Sequence, residues 1–382
     1  MDERLFTDPS GELMPLIGGG KAFVPRALPP QLDLARLMTP VGKALAAIGE
    51  LKGAARRLPN PWLLIQPVQR QEALATSAME GTYTTLEELV MEEATPGAGR
   101  NDTREVANFI RALHHAERSM DEGRPIAHRL LCEAHAILLR GVERQRGAHR
   151  LPGEYKRDQN YIGGVGEAAR FVPPPPRMTA ELMAALERFV NAAEQRDPAR
   201  AIIDIALVHY QFEAIHPFAD GNGRMGRMLV TLLAKKWGLL DDMLLYVSPE
   251  LEGRRERYVE LMFDVSARSG WEAWIAFMAD VMAASCRRVI GIIDELLELR
   301  ADYKRRAREA GRSTQLHKLV ELLFSRPVIT VPKAKELLGV KTYRGAQQIL
   351  GKLEKAGILS PLPDTRPRAW IARGILDIIR QR

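Results

Sequence analysis

The chain has 382 residues, 46% of them hydrophobic and 27% charged, the composition of an ordinary folded protein with material for two or three domains. The start, Met1 to Phe6, is acidic with no apolar run behind it. No later apolar run approaches the ~20 residues of a membrane span, so neither a secretory signal nor a membrane partner is expected, and a cytoplasmic location is. Net charge is +7, but residues 313–382 carry 13 Lys and Arg against 5 Asp and Glu, and residues 300–312 carry 6 against 2. Residues 1–299 are therefore net acidic, and the basic character belongs to the C-terminal fifth. The two cysteines, Cys132 and Cys286, lie far apart without metal-ligand spacing, which suits buried thiols in a reduced compartment.

Residues 1–30, with Gly18, Gly19, Gly20 and several prolines, read as a lead-in arm. Gly20-Lys21 is not a phosphate loop, because Ala22 stands where Ser or Thr is required. Apolar residues then recur at three and four over 44–51, 106–120, 129–139, 180–193, 201–215 and 286–299, which predicts helices. Strand-like material is scarce. Residues 160–164 and 170–172 flank a Gly-rich turn and predict a small hairpin, and Pro173 to Pro176 give a stiff connector.

The densest chemistry lies in His216-Pro217-Phe218-Ala219-Asp220-Gly221-Asn222-Gly223-Arg224-Met225-Gly226-Arg227. Pro217 disfavours helix at the residue before it, so the apolar helix should end at about His216. Gly221 and Gly223 permit backbone angles that let successive amides face one concavity, an anion nest. A new helix should begin near Gly223 or Arg224, its N-terminus suited to phosphate, with Arg224 and Arg227 on one face. Asp220 can hold a hard cation such as Mg²⁺, Asn222 can donate its amide to a phosphoryl oxygen, and His216 can act as a neutral base.

These residues read H-x-F-x-D-G-N-G-R-x-x-R, which resembles the core motif of the Fic family of nucleotidyl transferases. Residues 151–164 resemble the family's segment before the active site, including a flap that lines up the target, here Asn160, Tyr161, Ile162, Gly163 and Gly164. Thr76-Ser77-Ala78-Met79-Glu80-Gly81 resembles its inhibitory motif, S/T-x-x-x-E-G/N; from the spacing alone, Glu80 reads rather as a helix surface charge before a glycine cap. The resemblance covers roughly residues 30–300. It implies a mainly α, Fic-type helical bundle that moves AMP from ATP to a Ser, Thr or Tyr hydroxyl of a protein target. His216 would be the base, Asp220 the Mg²⁺ ligand, and Gly221, Asn222, Gly223, Arg224 and Arg227 the phosphate-holding set. Glu80 would pair with Arg227 and restrain the enzyme. The alternatives are removal of AMP, transfer of UMP, and a DNA-binding regulator with a vestigial Fic domain.

Residues 300–312 continue a charged helix ending near Gly311 and mark a boundary. Residues 313–382 resemble a winged helix-turn-helix: a helix from Leu316, a second capped by Thr330 and closed by Gly339, a third from Thr342 to Ala356, and a two-strand wing around Pro363 to Pro367. Lys341, Arg344, Lys352, Lys355, Arg366 and Arg368 could meet DNA phosphates, or the module could dock a target or a second copy of the chain. The expected divisions are 1–100 (arm and inhibitory helices), 101–300 (catalytic) and 313–382.

Overall fold

The computed structural model describes residues 1–17, 19–57, 61–95, 97, 99–141, 151–164, 166–193, 195–363, 365 and 367–381; Arg366, expected on the wing, lies outside the described residues. The architecture is mainly α, as expected. Its elements in chain order are β1 (Gly11–Pro15), β2 (Lys21–Pro25), α1 (Leu34–Arg56), α2 (Pro61–Ala78), α3 (Leu86–Ala94), α4 (Asn101–Asp121), α5 (His128–Leu138), α6 (Pro176–Asn191), α7 (Pro198–Ile215) and α8 (Asn222–Lys236). There follow α9 (Ser248–Glu252), α10 (Arg255–Arg268), α11 (Trp271–Ala310), α12 (Thr314–Ser325), β3 (Val328–Thr330), α13 (Val331–Leu338), α14 (Tyr343–Lys355), β4 (Ser360–Leu362), β5 (Ala369–Ile371) and α15 (Arg373–Gln381). The described residues contain no helix long and apolar enough to cross a membrane. The chain divides into two units, the first comprising residues 1–49, 75–82 and 108–286, the second residues 50–74, 83–107 and 287–382.

The first unit is built around α7 and α8. Asp197 caps α7 by accepting from the amides of Ala199 and Arg200, and Pro198 sits in the first turn. Almost every side chain from Ala201 to Ile215 is buried, because the helix is apolar on all faces. α8 packs along it, and the indole of Trp274 donates to the Ala206 carbonyl at 2.9 Å. The expected lead-in arm contains an antiparallel hairpin, with Gly11 opposite Pro25 and Pro15 opposite Lys21. The prolines end both strands and hide the alternation that would have flagged them. Phe23 of β2 donates its amide to Val172 at 2.8 Å and sets its ring 5.6 Å from that of Phe171. The predicted hairpin at 160–172 reduces to one antiparallel bridge, Ile162 to Phe171. Gly163 and Gly164 both take positive φ, and a short 3-10 turn at Gly166–Ala168 ends the ladder after that pair.

In the second unit the strands form one antiparallel sheet in the order β3-β5-β4, with Trp370 of β5 opposite both Ile329 and Pro361. The Trp370 indole is buried and donates to Glu354 of α14 at 2.6 Å. Thr330 caps α13 and Gly339 closes it at φ 67°, while Thr342 caps α14. Lys341, Arg344, Lys352, Lys355 and Arg368 are exposed. The terminal α15 was not anticipated.

Candidate active site

α7 ends at Ile215 and His216 caps it in the left-handed region, φ 51° and ψ 61°. Only two non-glycine residues among those described have positive φ. Such a backbone costs ~1–3 kcal/mol and persists only where its surroundings enforce it. The half-buried imidazole sets Nδ1 3.3 Å from the Glu213 carbonyl. A proton on Nδ1 donated there leaves the Nε2 lone pair available. Burial, then the charge of Lys156, pushes the His216 pKa down to about 4, so the ring is neutral at physiological pH.

The loop that follows is stapled by its own side chains. Phe218 is fully buried and stacks on His135 at 3.8 Å between ring centroids. The Asn222 amide closes on the Phe218 main chain, accepting from its N–H and donating to its carbonyl, both at 2.8 Å. Asn222 was expected to offer that amide to a phosphate; here the group fixes the loop. The Asp220 carboxylate accepts from the Gly221 amide at 2.6 Å and lies 3.7 Å from the Arg224 guanidinium. Gly221 caps α8 at φ 78°, which places the helix start at Asn222, one residue earlier than expected, with the amides of the first turn at its mouth.

Arg224 and Arg227 are both buried on that first turn and a half. Arg227 donates from Nε to the Thr76 hydroxyl at 2.7 Å and from one terminal nitrogen to the Thr76 carbonyl at 3.0 Å and the Glu80 carboxylate at 2.6 Å. Burial opposes charge on Glu80, but the Arg227 guanidinium outweighs it and holds the carboxyl below its usual range. Thr76 and Glu80 thus meet an arginine some 150 positions away, the Glu80 contact being the pair that the resemblance names. His216, Glu80, Arg227, Glu213 and Tyr258 line one cavity, walled by Ile162 and Phe171 of the flap and by Met262 and Phe263. Glu213 is pushed up to about 8 by burial despite Arg227, which keeps it protonated at neutral pH.

Residues that carried no signal in the sequence complete the frame. His135 is buried, accepts at Nδ1 from the Gly153 amide and donates from Nε2 to the Asp220 carbonyl, both at 2.9 Å. His209 lies between the Gly226 carbonyl at 3.0 Å and the Tyr258 hydroxyl at 2.9 Å. Burial drives both histidines well below their ordinary pKa, so both are neutral props. Asn160 of the flap donates to the Phe218 carbonyl at 2.8 Å, and Tyr161 beside it is exposed. A side chain on Gly164 would overlap the Ala168 carbonyl, which explains a glycine at that turn. Among the described residues no group of three acidic, His or Cys side chains is arranged to hold a metal alone. Asp220 is the carboxylate beside the N-terminus of α8. A cation there would draw its other ligands from phosphate oxygens and water, the habit of Mg²⁺.

Gly221 alone takes the positive φ expected of both glycines, since Gly223 lies within α8. Fold and site together define a helical protein with a histidine, a helix N-terminus and two buried arginines at one helix–loop–helix junction. Residues 38–118 match the Fic/DOC family N-terminal model and residues 125–234 the Fic/DOC family model, and the chain belongs to that family. Among curated relatives it is 31% identical over 213 residues to "Protein adenylyltransferase Fic" of Drosophila yakuba, covering 54% of this chain and 39% of that protein. The same-named Drosophila melanogaster protein is 30% identical over 199 residues, covering 51% and 37%. The match thus spans well under half of either relative's length. A Fic family protein of Desulfovibrio desulfuricans G20 shares the fold at a TM-score of 0.54 and 20% identity, over 90% of this chain and 98% of that one.

Proposed function

We propose that the protein is an adenylyltransferase, moving AMP from ATP to a hydroxyl of a protein, itself included, and restrained by Glu80. The observation that carries this reading is the junction itself: a neutral, left-handed His216 stands one short loop before a helix mouth whose first turns hold Arg224 and Arg227. Curated relatives named for this activity support it. In the reaction, Nε2 of His216 takes the proton of a Ser, Thr or Tyr hydroxyl as its oxygen bonds the α-phosphorus. The bond from the α-phosphorus to the bridging oxygen breaks, and pyrophosphate leaves with the electron pair. Gly221, Gly223 and the α8 amides face the phosphates, and the arginines grip the tail. Asp220 would hold Mg²⁺, which supplies neutralising charge on the phosphates. While Glu80 holds Arg227, that guanidinium is withdrawn from the γ-phosphate and a negative charge stands beside a polyanion.

The flap from Asn160 to Gly164 would present the target by main-chain pairing, since such pairing reads little sequence. Residues 313–382 would form a winged helix, whose exposed Lys341, Arg344, Lys352 and Lys355 favour duplex DNA as partner, with target docking or self-association as the other uses. Mass spectrometry of candidate proteins incubated with ATP tests the main reading. A gain of AMP supports it, a loss of AMP from modified protein favours the reverse reaction, a gain of UMP from UTP favours the other nucleotide, and no change favours a vestigial domain.

A further inference from the structure

Lys156 is 3% exposed, an unusual setting for a lysine whose amine has no carboxylate against it among the described residues. Its main-chain amide donates to the Pro217 carbonyl at 2.8 Å, and its Nζ donates to the Ile215 carbonyl at 3.1 Å. One residue therefore holds the carbonyls immediately before and after His216. The histidine between them sits in the left-handed conformation, which needs outside enforcement. The Ile215 carbonyl is among the last of α7, where the helix leaves acceptors without an intrahelical donor and favours a cation. A burial that disfavours the ammonium is thus offset by an acceptor that suits it.

We propose that Lys156 is a positioning residue for His216: it clamps both flanks of the histidine and fixes the ring in the orientation that accepts the hydroxyl proton. This rests on the reading of His216 as base. It also places a positive charge beside the imidazole. That charge lowers the basicity of His216, while the carboxylates of Glu80 and Asp220 raise it. The other ionisable groups that line the cavity are Arg227, Glu213 and Tyr258, with Arg170, Tyr210 and Arg255.

The test uses the full chain carrying Glu80→Gly, with and without Lys156→Met or Lys156→Arg. Lys156→Met keeps the stem and loses donor and charge. It should lower kcat for AMP transfer roughly 100-fold, the scale of a catalytic group displaced by about an ångström, while calorimetric affinity for a non-hydrolysable ATP analogue holds. Its acid limb should also move to higher pH. Lys156→Arg, with a charged donor, should recover most of kcat. Unchanged kcat in Lys156→Met, or equal loss of kcat and analogue affinity in both variants, overturns the proposal.

A second measurement stands apart from transfer and from the folding of Lys156→Met. Burial brings the Lys156 pKa down to about 7. In the wild-type chain the His216 ring resonances should therefore shift as Lys156 titrates near neutrality, and this step should vanish in Lys156→Arg, which stays charged. Any contribution from Glu213 titrating near pH 8 remains in both. Identical titrations in the two proteins overturn the proposal. If the Glu80→Gly parent transfers nothing, the transferase reading fails and this titration still decides the role of Lys156.

Discussion

The Glu80 carboxylate fills the space in which a side chain on Gly223 would begin. A Cβ on Gly223 would overlap Oε1 of Glu80 and lie 2.8 Å from a terminal nitrogen of Arg227. Gly223, proposed to face phosphate, is thus also the seat of the Glu80 carboxylate. On the proposed function, a phosphate group would compete with Glu80 for the same small volume as well as for the same guanidinium.

Removing the carboxylate should therefore activate. Its side chain is one-third exposed, so the pair with Arg227 is worth about 1–2 kcal/mol rather than the full value of a buried charge-assisted bond. Glu80→Gly should raise self-modification with labelled ATP about 5- to 30-fold, read as protein-bound label. A fall in label would instead make Glu80 part of the catalytic machinery and favour AMP removal.

His216→Ala should lower transfer by about 10²- to 10⁴-fold, the usual worth of a positioned base, while ATP affinity stays within a few-fold. Placed on Glu80→Gly, it should return self-modification to background. Near-normal turnover in the double variant would exclude His216 as the base.

Gly223→Ala separates the two occupants of the seat. The new methyl should expel Glu80, whose exposed end can swing away, but it also crowds the phosphate position beside buried Arg227. We expect ATP affinity to fall at least ~10-fold with no activation, because the methyl occupies the space a phosphate needs. Activation equal to that of Glu80→Gly would mean that phosphate does not use this turn.

The pH profile of the Glu80→Gly enzyme should show its acid limb near pH 4 to 5, about two units below an ordinary histidine. The sign follows from burial. The protonated ring is disfavoured, so the active neutral form persists as pH falls and is lost only on passing through the depressed pKa. An acid limb at pH 6.5 would mean a solvated ring or another base.

Lys341→Glu with Arg344→Glu should abolish retention of labelled duplex DNA at low salt and leave self-modification unchanged. Wild-type retention should fall steeply as salt rises, since phosphate contacts release counterions. If the wild type retains no DNA at low salt, the exposed basic face serves a protein instead.

What the sequence determined by itself is contiguous. The run from His216 to Arg227 contains its own turn chemistry: Pro217 stops one helix, Gly221 makes the left-handed turn, and the next helix starts with the arginines already on it. The helical periodicities and the caps at Thr330, Thr342 and Gly339 were legible for the same reason, because each is a property of a few neighbouring residues. Tertiary structure alone decided what faces that run. Thr76 and Glu80 reach Arg227, His135 reaches Asp220, Lys156 grips both flanks of His216, and the Asn222 amide turns back on Phe218. A histidine in an apolar helix or a lysine after a tyrosine has no local mark of such a partner. Its role arises only when packing strips its water and brings a carbonyl from another segment within hydrogen-bond reach. Glu80 is the intermediate case: family resemblance suggested its partner, and the fold supplies the 2.6 Å contact.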